Sequence, residues 1–163
     1  MKKILIALAL FSSLSVSANQ DAEVLGVAFG STCEETVQKL NKDYGTPKSQ
    51  SADKLVYLNE MFEGFKADRV ELGFQDLQGT TKLNQARFYF VCPNKAAAIA
   101  RMKSLVKKME TRYSVSYDEE DGGTAFYKGG NSPLGIGCLF TIFVSPYQGK
   151  WTCQLLYGKF QFK

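Results

Sequence analysis

The chain has 163 residues, of which 45% are hydrophobic, 13% aromatic and 22% charged, with a formal net charge of +4. Those values are ordinary for a globular domain and exclude disordered, collagenous and low-complexity chains. There is no histidine, which removes Ser-His-Asp and Cys-His catalysis and histidine-ligated metal sites.

The N-terminus reads as an address. Met1-Lys2-Lys3 is a short basic region, Ile4 to Phe11 an apolar run, and Val16-Ser17-Ala18 offers the small residues that signal peptidase requires. Cleavage is expected after Ala18. The apolar run is too short to span a bilayer, and no other segment approaches about 18 consecutive apolar residues, so no transmembrane segment is expected. No cysteine follows the cut to accept a lipid. Removing 18 of 163 residues leaves 145, a single domain over 19–163 that is large enough to bury one core. Loss of Lys2 and Lys3 leaves 18 basic against 16 acidic residues. That field is too weak to gather nucleic acid. The expected location is periplasmic or secreted.

Val24–Ala28 is a short apolar run, expected as the first strand. Ser31 with Glu34 and Thr32 with Glu35 form overlapping capping boxes. Cys33, Val37, Leu40 and Tyr44 follow at helical spacing, and Gly45 and Pro47 stop the run, so a helix is predicted over 32–44. Leu55–Leu58 reads as a strand. Lys66–Phe74 alternates with Val70, Leu72 and Phe74 on one face. Asp76–Lys82 is a polar turn, and Leu83–Cys92 alternates with Ala86, Phe88, Phe90 and Cys92 on one face.

Asn94 caps a second amphipathic helix over about 95–112, with Ala98, Met102, Leu105 and Met109 as its apolar stripe. Arg101, Lys103, Lys107 and Lys108 form its solvated face. Strands are expected near 113–118, 124–128, 137–145 and 151–160. This order predicts an α+β fold, a meandering antiparallel sheet with two amphipathic helices. Helix-then-strands occurs twice, which hints at a degenerate tandem repeat.

Four cysteines, Cys33, Cys92, Cys138 and Cys153, read as two disulfides in an exported chain. A hairpin around Pro146–Gly149 sets Cys153 opposite about Ile142 and Cys138 opposite about Tyr157. Four strand positions span ~13 Å, beyond the ~7 Å Cα limit of a disulfide, so Cys138–Cys153 is disfavoured and the pairing otherwise stays open. No C-x-x-C, P-loop, G-x-S-x-G or S-x-x-K pattern occurs. No metal or cofactor is expected. Asp118-Glu119-Glu120-Asp121 lacks EF-hand spacing and reads as a solvated hairpin tip. The glycine-rich stretch 129–137 is flanked by strands, which suits a connector or a partner-binding loop better than a phosphate cradle. Tyr157–Lys163 alternates like an edge strand.

Phe29-Gly30 before the first helix and Gly45-Thr46-Pro47 after it carry a resemblance. The stretch 27–47 resembles the helix entry and exit of small exported α+β proteins, such as the beta-lactamase inhibitor protein and the small lipoprotein of the outer-membrane assembly machinery. The resemblance implies a secreted binding or assembly module and assigns no functional residue. The chain departs from it in lacking a lipidated cysteine and a second copy of the motif.

Tyr147, Lys150 and Trp151 sit at the tip of the last hairpin, and amphipathic residues there suit a recognition surface. The expected function is a soluble exported binding protein (inhibitor, immunity or accessory module) whose partner is another protein in the envelope or outside the cell. The alternatives are a structural or assembly factor of the cell envelope and, third, a carboxylate-dependent enzyme. Catalysis is not expected, because the commonest catalytic groups are missing.

Overall fold

The structure, a computed structural model, describes residues 22–120 and 124–163. The expected signal segment and Asp121 lie outside the described residues. The chain opens with a small hairpin, β1 (Glu23–Val24) and β2 (Val27–Ala28), in place of the single strand expected over Val24–Ala28. Leu25 and Gly26 turn the chain back on itself, so Val24 and Val27 both face the core.

Helix α1 (Cys33–Tyr44) begins as expected. Of the two overlapping capping boxes, Thr32 with Glu35 forms. Thr32 Oγ1 accepts from the Glu35 amide at 3.2 Å, and Glu35 Oε2 accepts from the Thr32 amide at 2.8 Å. Helix α2 (Lys95–Met109) starts at the Asn94 cap and ends short of the expected Arg112. Its last turn tightens, with the Thr111 amide donating to the Lys108 carbonyl and that of Arg112 to the Met109 carbonyl.

Between and after the helices run β3 (Ser49–Gln50), β4 (Lys54–Phe62), β5 (Phe65–Leu77), β6 (Thr80–Cys92), β7 (Val115–Glu120), β8 (Thr124–Asn131), β9 (Cys138–Tyr147) and β10 (Lys150–Gly158). They form one antiparallel sheet of eight strands in the order β3-β4-β5-β6-β10-β9-β8-β7. Each half is a helix followed by a four-strand meander, and the halves join where β6 pairs with β10.

Both helices pack on one sheet face. The core there combines Leu40 of α1, Leu105 and Met109 of α2, and the strand residues Phe88, Phe90, Ile142, Leu155 and Tyr157. Burying each such side chain contributes about 1.5–3 kcal/mol.

Three sequence expectations are corrected. The polar turn expected over Asp76–Lys82 shrinks to Gln78-Gly79, both at positive φ (54° and 83°), and the ladder runs on to Leu77↔Thr80. Such a turn matches the twist of paired strands, so the polar flanks stay in the sheet. The glycine-rich stretch also shortens, because Gly129–Asn131 belong to β8 and the loop covers only 132–137. The C-terminus is not an edge strand. β10 is central, and the chain leaves the sheet after Gly158. Phe160 then packs against Phe29 with ring centroids 4.8 Å apart, while Asn84 and Gln75 bond the Phe160 and Phe162 backbone.

Candidate functional site

The last hairpin decides where the three candidate residues point. Its turn is Gln148-Gly149, both at positive φ (49° and 75°), so Tyr147 pairs with Lys150 and Pro146 with Trp151. A four-residue turn was expected. The tighter one moves the register by two, and Cys153 stands opposite Val144 instead of Ile142. Opposed residues share a face and successive residues alternate. Tyr147 and Lys150 therefore fall on the sheet face away from the helices, and Trp151 on the helix face. The hairpin tip does not hold the trio together.

On the helix-free face the Tyr147 ring packs against Tyr89 of β6, with centroids 4.4 Å apart and planes tilted by 36°. Tyr89 pairs with Gln154 on β10 and with Arg69 on β5. Although no helix covers this face, Tyr89 is 3% exposed, Thr152 0% and Gln154 3%. Gln154 Nε2 donates to Thr152 Oγ1 at 2.9 Å, and Thr152 Oγ1 donates to the Ser145 carbonyl at 2.6 Å. Gln154 Oε1 has no hydrogen-bond partner among the described residues.

The tyrosine pair is bordered by charge. The Arg87 guanidinium lies 5.9 Å from the Tyr89 centroid. Arg69 Nε donates to Glu71 Oε1 at 2.7 Å, and Lys54 Nζ approaches Glu71 at 3.7 Å. Burial, partly opposed by the hydrogen bond with Arg87 and reinforced more weakly by the Glu71 charge, leaves the Tyr89 phenol above its ordinary range. The phenol therefore keeps its proton near neutral pH.

Trp151 is half-buried, with the Lys95 ammonium 5.5 Å from its ring. It lines a groove of about 900 Å³ beside α2. Lys150 is exposed at the turn.

The two disulfides expected of these cysteines are not present in the structure, where all four carry free thiols. Cys92 and Cys153 share the helix face of β6 and β10, where Cys153 opposes Phe90 and Cys92 opposes Trp151. That makes them a diagonal pair, which on an antiparallel ladder is ~7–8 Å apart, at the outer limit of disulfide geometry. Cys33 sits at the start of α1, its amide 3.4 Å from Thr81 Oγ1 of β6. Cys138 opens β9 opposite Asn131. The step from β6 across β10 to β9 is ~10 Å, so Cys33 and Cys138 are not neighbours either.

Asp118, Glu119 and Glu120 of the acidic run form the end of β7 next to the β7–β8 turn, with Asp118 paired to Lys128 across the ladder. That pairing, chiefly the Lys128 hydrogen bond, holds the Asp118 carboxyl below its usual range. Among the described residues no three His, Cys, Asp or Glu side chains gather as a metal site. No helix among them is long and apolar enough to cross a membrane.

Sequence reasoning missed Tyr89, Arg87 and Gln154. The signal was present in the outward half of the alternation Arg87-Phe88-Tyr89-Phe90-Val91, where an aromatic occupies a position expected to be polar. Compared with protein-family models, curated proteins and solved structures, the chain gives no match.

Proposed function

We propose that the mature chain is an exported binding module that acts through surface contacts, centred on the helix-free face around Tyr89 and Tyr147. The observation that carries this reading is the tilted Tyr89–Tyr147 pair. It roofs the buried Thr152–Gln154 pair and lies beside Arg87, whose guanidinium meets an aromatic ring and no carboxylate among the described residues. Tyrosine and arginine are the side chains that most often anchor protein contacts. A rigid sheet presents them at low entropic cost. The repeated order of helix and meander supports reading the two halves as a degenerate tandem repeat. The resemblance around 27–47 points the same way, to a secreted binding module.

Affinity capture from envelope extract tests this reading. Tyr147→Ala should weaken capture of the partner by ~2 kcal/mol or more, as for an anchor residue, with the melting temperature held. Undiminished capture by that variant would remove the helix-free face from consideration. Export is tested separately by intact mass, since the secreted product should begin at Asn19.

A further inference from the structure

We propose that the groove between α2 and the β7–β8 hairpin binds a small amphiphile, an apolar chain or ring system carrying an anionic head group. Val144, Trp151, Tyr117 and Tyr127 of its lining belong to the sheet face opposite Tyr147, while Phe126, Phe143 and Leu156 enter the lining from strand positions of the other face. Its volume of about 900 Å³ falls within the ~300–1,000 Å³ typical of ligand pockets.

The apolar lining comes from three directions: Ile99 and Met102 of α2, Val144 and Trp151 of β9 and β10, and Tyr117 and Tyr127 of β7 and β8. Tyr117 is 56% exposed, and its ring meets Tyr127 edge-on with centroids 5.5 Å apart. Aromatic surface therefore faces open space along this wall. A contiguous apolar lining left uncovered in this way marks a ligand groove more often than a solvated surface.

Charge selects the head group. Lys95 and Lys103 both line the groove and are two turns apart on α2, ~12 Å along the axis. Neither forms an ion pair among the described residues, while Lys54, Arg69, Arg112 and Lys128 each do. Glu120 is the acidic residue among the described lining, so the rim is net positive. An apolar body between Trp151 and Tyr117 with its anion at Lys95 or Lys103 would satisfy both halves of the site. A cationic amphiphile would bring its charge against two unpaired ammonium groups.

Trp151 is the only tryptophan, so its emission reports directly on the groove. The full mature chain would be titrated with dodecanoate below its micelle concentration, beside dodecyltrimethylammonium and dodecanol. The expected result is a saturable change in Trp151 emission with dodecanoate, at least tenfold tighter than with the cationic amphiphile. Lys95 and Lys103 are both exposed. The double variant Lys95→Ala with Lys103→Ala should therefore keep its melting temperature while dodecanoate affinity falls to within twofold of dodecanol. Ile99→Glu, at a half-buried lining position, should abolish binding of all three. No saturable emission change or calorimetric heat with dodecanoate would overturn the proposal. So would equal affinity for the three head groups, or an affinity that the double substitution leaves unmoved.

Discussion

Burial sets the acidity of Cys153. The side chain is 0% exposed, and desolvation, then the neighbouring Cys92, push its thiol from 9.0 to about 12. A thiol with a higher pKa in the folded state keeps its proton longer there. Its stabilising contribution is complete below the unfolded value near 9.0 and is lost as pH rises towards about 12. Tyr157, also raised chiefly by burial, adds the same trend from 10.0 upwards. Urea midpoints measured from pH 8 to 11 should fall, and Cys153→Ala should fall less steeply, by up to ~1.4 kcal/mol per pH unit. Equal slopes for both proteins would refute this account. In the native protein at pH 8, alkylation should reach the half-buried Cys33 and Cys138 before the buried Cys92 and Cys153. Trp151, half-buried beside Lys95, is not a deep core residue. Trp151→Ala should cost less stability than the ~3–5 kcal/mol of a fully buried tryptophan.

At the scale of elements, local chemistry decides starts and stops. Thr32 and Ser31 are both plausible caps for α1 by sequence, but only Thr32 makes the reciprocal bonds. Thr32→Ala should therefore destabilise by about 1 kcal/mol, visible as a melting point roughly 3 °C lower. Ser31→Ala should leave it nearly unchanged. Equal losses would mean that the cap is shared. Tight turns matter as much as caps. Gln148-Gly149 closes the last hairpin in two residues, which puts Tyr147 into the ladder and aims it away from Trp151. Gly149→Val would place a β-branched residue at φ 75°, a conformation such residues strongly resist. It should loosen the hairpin and reduce Tyr147-dependent partner capture along with stability.

For the whole molecule, the C-terminal segment is the tie between distant parts of the sheet. Asn84 Nδ2 donates to the Phe160 carbonyl at 2.9 Å, and the Phe160 amide returns a 2.9 Å bond to the Asn84 carbonyl. Asn84 is 1% exposed, so Asn84→Ala strands a buried carbonyl and should cost about 1–3 kcal/mol. In a chain ending at Gly158 the same substitution should cost much less, because its partner is gone. Additive losses in chemical denaturation would show that the clamp is not the reason.

Helix positions, strand alternation and the α+β class were legible in the sequence because they follow from short-range periodicity. Cys33, Val37, Leu40 and Tyr44 can only form one stripe if the backbone is helical, and Phe88 and Phe90 can only share a face if it is extended. Turn length was not legible. Polar residues around 76–82 and 146–149 look alike whether they loop or pair, and positive φ at Gln78 and Gln148 is set by the strands they join. The candidate site was read in part for the same reason. Tyr147 and Trp151 stood out as residues near a turn, but a two-residue change in register separates their faces. The partners they meet, Tyr89 on one side and Lys95 on the other, lie some 58 and 56 positions away in the chain. Only the tertiary structure decided those meetings, because they depend on β10 entering between β6 and β9, a long-range pairing that no local pattern encodes.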